Sequence, residues 1–218
     1  VAKPNIQDAL AIRNSKYQTT GETRVEDGVT LHRIRAVRDI PRYEVKAGDP
    51  GGWIESENNL SEHDDAWVYD DAQVFGDAWV SGDARVSDDA QVFGDAWVSG
   101  DARVYGDAWV FDDARVFGNA WVFGNARVSG HARVSGHARI YGDAWVSGNA
   151  RVFGDARVSD DAQVFGDAWV SGDARVYGDA WVYGHARIYG NARVYGDAWV
   201  FGNAQVYGDA WVYGEIFE

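Results

Sequence analysis

The chain has 218 residues, no cysteine, 26 glycines, 11 tryptophans and a formal net charge of −14. Without cysteine there are no disulfides and no thiolate metal sites, and no run of about 18 apolar residues is present to form a membrane helix. The acidic balance argues against direct binding of nucleic acid, and residues 1–14 lack the long apolar core of a signal peptide; the expectation is a cytoplasmic protein without membrane association.

Residues 1–60 hold nine Lys/Arg against nine Asp/Glu and are neutral. A short helix is expected over residues 5–13, then strand-like runs around a Glu26-Asp27-Gly28 turn, with Trp53 and Ile54 leading into the first coil of a repeat. This segment reads as a small α+β cap. Stacked parallel strands leave unpaired backbone at their ends, and a cap suppresses aggregation there.

Residues 61–218 form the second unit. From Ala66 to Val212 the pattern Ala-x-Val-x-Gly-Asp recurs twenty-five times without insertion or deletion. Ala and Val two apart define a short strand with both on one face. The position between them accepts Arg as readily as Trp, so it faces out, and Gly-Asp, Gly-Asn, Gly-His or Asp-Asp makes each corner. Asp70, Asp88, Asp112 and Asp160 stand where the other repeats have glycine, and aspartate tolerates positive φ. Residues 70–86 reappear at 88–104, and 86–110 reappear at 158–182. An 18-residue coil explains both offsets and gives three strands per turn, hence a triangular prism of about eight coils and roughly 40 Å. Ile216 falls in register with the alanines and is expected to plug the last coil, with Glu215 and Glu218 as charged gatekeepers.

The aliphatic-to-small spacing of Val74 to Ala78, Val80 to Ala84 and Val86 to Ala90 resembles the left-handed parallel β-helix of hexapeptide-repeat proteins, and left-handedness is implied by that resemblance alone. The head resembles that of bacterial and prophage hexapeptide-repeat proteins of unassigned function. Lys16-Tyr17, Thr30 to Ala36, Val45 to Asp49, Gly51 to Ile54 and Asn59-Leu60-Ser61 carry the likeness. Some members are labelled transferases, and the wider family implies a catalytic histidine near an extruded loop.

Three side-chain sets bear on function. His131, His137 and His185 each replace a corner Asp or Asn; no loop interrupts the repeat and the pattern gives them no titratable partner, so they read as turn residues and no catalytic residue or cofactor is assigned. Asp70, Asp71, Asp88, Asp89 and Asp107 crowd one corner, with Asp112 and Asp113 at the next. Carboxylates about 5 Å apart can recruit Ca²⁺, yet the glycine-rich nonapeptide signature of calcium-binding β-rolls is missing, and no metal site is assigned. Ten tryptophans from Trp67 to Trp211 face outward, including Trp109, Trp145 and Trp181, and Tyr105, Tyr141 and Tyr177 belong to a column along one face. With Arg103, Arg127, Arg133 and Arg139 they form the expected binding surface, for a protein partner or for self-association.

Charge divides the coils. Residues 61–113 hold fourteen acids against Arg85 and Arg103, whereas 114–154 hold five arginines against Asp143. The leading expectation is a non-enzymatic interaction scaffold of phage or prophage type. The alternatives are an acidic mimic of nucleic acid that occupies a host defence protein, an acyl- or nucleotidyl-transferase, and a carbohydrate-binding solenoid whose rings stack on sugars.

Overall fold

Alternation within Ala-x-Val fixes the interior of the protein. A computed structural model describes residues 12–217, and within it both inward side chains of every repeat from Ala66 to Val200 are fully buried. They form one continuous core that runs the length of the stack. Among the described residues there is no α-helix. The helix expected over residues 5–13 lies for the most part outside them; Arg13 is extended and bridges Gln18.

The chain enters through an antiparallel hairpin, β1 (Tyr17–Glu26) and β2 (Val29–Ala36), with Glu26 facing Val29. Asp27 and Gly28 both have positive φ, 49° and 82°, which is the two-residue turn whose twist suits a hairpin. β3 (Pro50–Ile54) pairs antiparallel with β2 on one side and parallel with Gln73–Val74 on the other. It is therefore the first rung of the parallel stack.

From there the strands, mostly two residues long, wind around three faces, each pairing in parallel with the strand one coil on. The first face begins at β3 and continues through Gln73, Gln91 and Trp109; the second runs from Trp67 through Arg85 and Arg103; the third runs from Trp79 through Trp97 and Arg115. The register is 18 residues throughout the repeat, as in Val104 beside Val122 and Val116 beside Val134. The second face has nine strands, one more than the third, because the repeat both starts and ends on it, so the stack holds about nine coils.

Each rung donates alternate backbone N–H groups to the next coil, as in Trp67 N to Ala84 O at 3.0 Å and Tyr69 N to Val86 O at 2.8 Å. In the first coil β3, the residue that follows it and Ser61 supply donors to Ala72, Val74 and Val80 O, but the carbonyls of Asp64, Ala66, Gly76 and Ala78 have no earlier rung to receive from. Two buried side chains replace it. Lys16 Nζ donates to Ala66 O and Asp64 O at 2.8 and 3.1 Å, and Asn59 Nδ2 donates to Ala78 O and Gly76 O at 3.0 and 2.9 Å. Gly51 and Gly52 let β3 approach the second face, since a Cβ on Gly52 would lie 2.6 Å from Ala72 O.

At the other end the register changes. Ile216 pairs with Val200 rather than falling beneath an alanine. The last corner is two residues shorter, and Gly214 at φ 131° carries the chain directly into Glu215–Phe217. Trp67, expected outside, is fully buried, because the hairpin folds over the first coil and Tyr17 meets its ring edge-on at 6.5 Å.

Two measurements test this packing. Ala120→Leu forces three carbons into a filled interior and is expected to cost about 1–3 kcal/mol by denaturant unfolding, whereas Arg133→Trp on the exposed strand position leaves the midpoint within about 0.5 kcal/mol. For Lys16, burial pushes the amine down to about 8 against the opposing pull of Asp64. The unfolded chain therefore binds more protons above pH 8, and stability contributed by Lys16 rises from about pH 8 to 10 as the folded amine becomes neutral. The melting temperature of the native protein is expected to rise relative to that of Lys16→Met across this window; parallel curves would refute the assignment.

Candidate functional site

Because residue i lies beside residue i+18, every outward side chain belongs to a column. On the first face the positions between Ala and Val read Gln73, Gln91, Trp109, Arg127, Trp145, Gln163, Trp181 and Trp199. The second face carries Arg85, Arg103, Trp121 and then four arginines in succession, Arg139, Arg157, Arg175 and Arg193. The third has Arg115, Arg133 and Arg151 between Trp97 and Trp169.

The structure thus distributes the expected binding residues over three faces. Trp109, Arg127, Trp145 and Trp181 share the first; Arg103, Arg139, Tyr105, Tyr141 and Tyr177 share the second; Arg133 stands alone on the third. Local packing engages many of them. Trp121 lies between Arg103 and Arg139, each guanidinium 5.0 Å from its ring centroid. Arg127 covers Trp109 at 5.2 Å, and Arg115 covers Trp97 at 5.1 Å. Rings also stack along each column, with Tyr105, Phe123 and Tyr141 at 4.9 and 5.1 Å. Trp145 Nε1 donates to Ser129 Oγ at 3.1 Å.

Several aspartates of the acidic surface serve the corners. Asp70, Asp88, Asp112 and Asp160 have φ of 49°, 61°, 56° and 58°. Asp88, Asp112 and Asp160 each accept through Oδ2 from the corner glycine N–H of the next coil, at Gly106, Gly130 and Gly178. Asp71 is paired with Arg33 at 3.2 Å and Arg24 at 3.8 Å. Asp71, Asp89 and Asp107 line one groove of about 480 Å³ along the corner between the second and first faces, with Arg24 near one end and Arg127 and Asp143 towards the other. Asp112 and Asp113 lie at a different corner. Among the described residues no three His, Asp or Glu side chains gather as cation ligands do.

The histidines stay apart. His131 Nδ1 lies 3.5 Å from Asp113 and His185 Nδ1 3.8 Å from Asp167, both rings 70% exposed. His137 borders a shallow depression with Arg42, Asp101 and Arg139. A base acts on a bound substrate that a third group orients, inside a cleft that excludes water; an exposed corner imidazole beside one carboxylate offers neither. No helix among the described residues is long and apolar enough to cross a membrane.

Sequence reasoning passed over Arg157, Arg175 and Arg193, although an 18-residue step from Arg139 reaches each in turn. It also passed over Ser159, where the second-face ring column breaks.

Six stretches, residues 96–111, 132–148, 144–160, 150–166, 162–184 and 186–202, match the family model described as the YdcK beta solenoid repeat. The coils are similar to that repeat. The matched stretches lie within the coils and together span less than half of the chain. No curated protein matches it.

The sandwich at Trp121 can be measured. Each exposed guanidinium–ring contact contributes about 0.5–1 kcal/mol, so Trp121→Leu is expected to lower unfolding free energy by about 1–2 kcal/mol, and Arg103→Gln and Arg139→Gln by roughly half as much each. Equal stability of all four proteins would show that the rings and guanidinia only sit beside one another.

Proposed function

We propose that this chain is a non-catalytic β-solenoid scaffold that holds a protein partner against its first face. One observation carries the reading: Trp109, Trp145 and Trp199 are 36%, 41% and 41% exposed in a single straight column on a sheet of fixed register. Exposed tryptophans aligned on one face, with Arg127 between Trp109 and Trp145, support an interaction surface, because Trp and Arg are the residues that dominate such surfaces. A sheet whose inward residues are all buried cannot rearrange to hide them.

The likeness of residues 16–61 to the head of prophage hexapeptide-repeat proteins supports placing the scaffold in a phage or prophage setting. A transferase reading draws less support, because His131, His137 and His185 lie far apart on open corners. The acidic mimic is a second reading, favoured by Asp89 and Asp107 on successive coils about 4.8 Å apart, next to Asp71, which Arg24 and Arg33 already pair.

The two readings separate in one experiment. The native protein and a Trp109→Ser/Trp145→Ser/Trp199→Ser variant are cross-linked in host cells, and the captured proteins are compared at low and high salt, with the oligomeric mass of each purified protein measured alongside. A partner, or a second copy, held by the native protein, lost from the variant and retained in high salt supports the first-face scaffold. Capture that is indifferent to the tryptophans and abolished by salt supports the acidic line instead.

A further inference from the structure

The ring column of the second face is interrupted at Ser159. Before the break, Tyr105, Phe123 and Tyr141 stack at 4.9 and 5.1 Å; after it, Tyr177 and Tyr195 stack at 5.5 Å with planes 13° apart. Tyr141 and Tyr177 are two rungs apart, which at about 4.8 Å per rung leaves them roughly 10 Å from each other. A flat ring inserted midway would lie about 5 Å from both, inside the range of stacked aromatic pairs.

The break is an open cavity. About 240 Å³ is bounded by Tyr141, Tyr177, Ser159, Asp160 and three arginines of the adjoining column, Arg157, Arg175 and Arg193. Ser159, 5% exposed, is its deep floor. Arg193 leans on Trp211 at 4.7 Å. Among the described residues, Arg157 and Arg175 have neither a carboxylate within ion-pair distance nor a ring beneath them, while most other column arginines have a ring. Two guanidinia on consecutive rungs repel each other, and an anion bridging them relieves that repulsion.

Other serine gaps in the ring columns lack this combination. At Ser87, the equivalent position four coils earlier, a cavity of about 210 Å³ also opens beside Asp88 and Tyr105, but both of its arginines are held by rings, Arg85 4.5 Å over Tyr69 and Arg103 5.0 Å over Trp121. At Ser171, Trp169 turns edge-on to Phe153 at 6.0 Å and is covered by Arg187. Ser135 is only half-buried, between Phe117 and Phe153.

We propose that the Ser159 slot binds a nucleotide, with its base stacked between Tyr141 and Tyr177 and its phosphate on Arg157 and Arg175. The ligand class rests on three features in one place: a slot one ring thick, paired cations at its mouth, and a carboxylate, Asp160, positioned to accept from an amino or hydroxyl group. Asp160 Oδ2 already accepts from Gly178 N at 3.1 Å, which holds the carboxylate in place. The volume suits a single base with its phosphate outside, and is below that of typical pockets for larger ligands.

Calorimetric and NMR titrations with AMP, adenosine and inorganic phosphate test the site on the intact 218-residue chain. AMP is expected to bind with its base protons shifted upfield by the tyrosine rings, and more tightly than adenosine or phosphate alone. Ser159→Tyr completes the ring column and is expected to weaken AMP on the order of tenfold or more, as loss of base stacking would. Arg157→Gln and Arg175→Gln weaken AMP but leave adenosine unchanged, and Ser87→Tyr changes nothing. Should Ser159→Tyr fail to fold, the two arginine variants carry the test. No AMP binding at millimolar concentration, undiminished binding in Ser159→Tyr or in the arginine variants, or phosphate binding as tightly as AMP would overturn the proposal.

Discussion

Strict 18-residue stacking is the constraint on which everything else in this protein depends. It gives alternate backbone N–H groups of each strand a carbonyl on the next coil, and it places like side chains on like: Val104 beside Val122, Ala above Ala through the length of the core. For aliphatic residues that repetition is favourable, since the interior stays dry and close-packed. For charged residues it is not, because the same geometry sets arginine on arginine and aspartate on aspartate about 5 Å apart.

The outer surface shows how that cost is offset. Trp121 separates Arg103 from Arg139, and Trp169 separates Arg151 from Arg187 at 5.0 and 5.3 Å, converting repulsion between cations into attraction to an intervening ring. At the corners, asparagine does comparable work. Asn125, Asn149 and Asn191 each donate through Nδ2 to the aspartate one coil on, Asp143, Asp167 and Asp209, at 2.9, 3.1 and 2.9 Å. Changes of residue between successive repeats relieve like-charge stacking at these positions, whereas Arg139, Arg157, Arg175 and Arg193 on the second face and Arg115, Arg133 and Arg151 on the third still follow one another. Lys16 and Asn59 solve the related problem at the first coil, where a missing rung leaves carbonyls without donors.

Much of this was legible in the sequence. The period of six and the offsets of 18 and 72 determine strand, corner, inward face and three-sidedness, because a two-residue alternation closed by a left-handed corner admits little else. Asp27-Gly28 likewise announces its hairpin. What the repeat could not reveal lies at its edges and between its columns. Trp67 carries the same local pattern as Trp121, and only the folding of β1 and β2 over the first coil buries it. Ile216 looked in register with the alanines, but a corner of altered geometry at Gly214 moves it beneath Val200. Lys16 stands 48 and 50 residues from its carbonyl partners and belongs to no repeat, so nothing in the periodicity marks it. The outward aromatics and arginines stand out in the sequence by type and abundance, and the three-faced coil scatters them.

Function in such a scaffold is most visible where the compensating pattern lapses. Arg157 and Arg175 follow one another without the intervening tryptophan that their neighbours have, and Ser159 withholds a ring from a column that otherwise stacks. Asp160, at the same rung, replaces a glycine and fixes its carboxylate on the next coil. Each departure alone is a tolerable local cost. Their coincidence on two successive coils joins an unfilled ring position to unneutralised positive charge, and the rigidity of the stack prevents either from being relieved by rearrangement of the backbone. A bridging anion relieves the repulsion between the two arginines where the backbone cannot, and in this way a uniform solenoid can hold a specific site without an added loop or mobile element to build it.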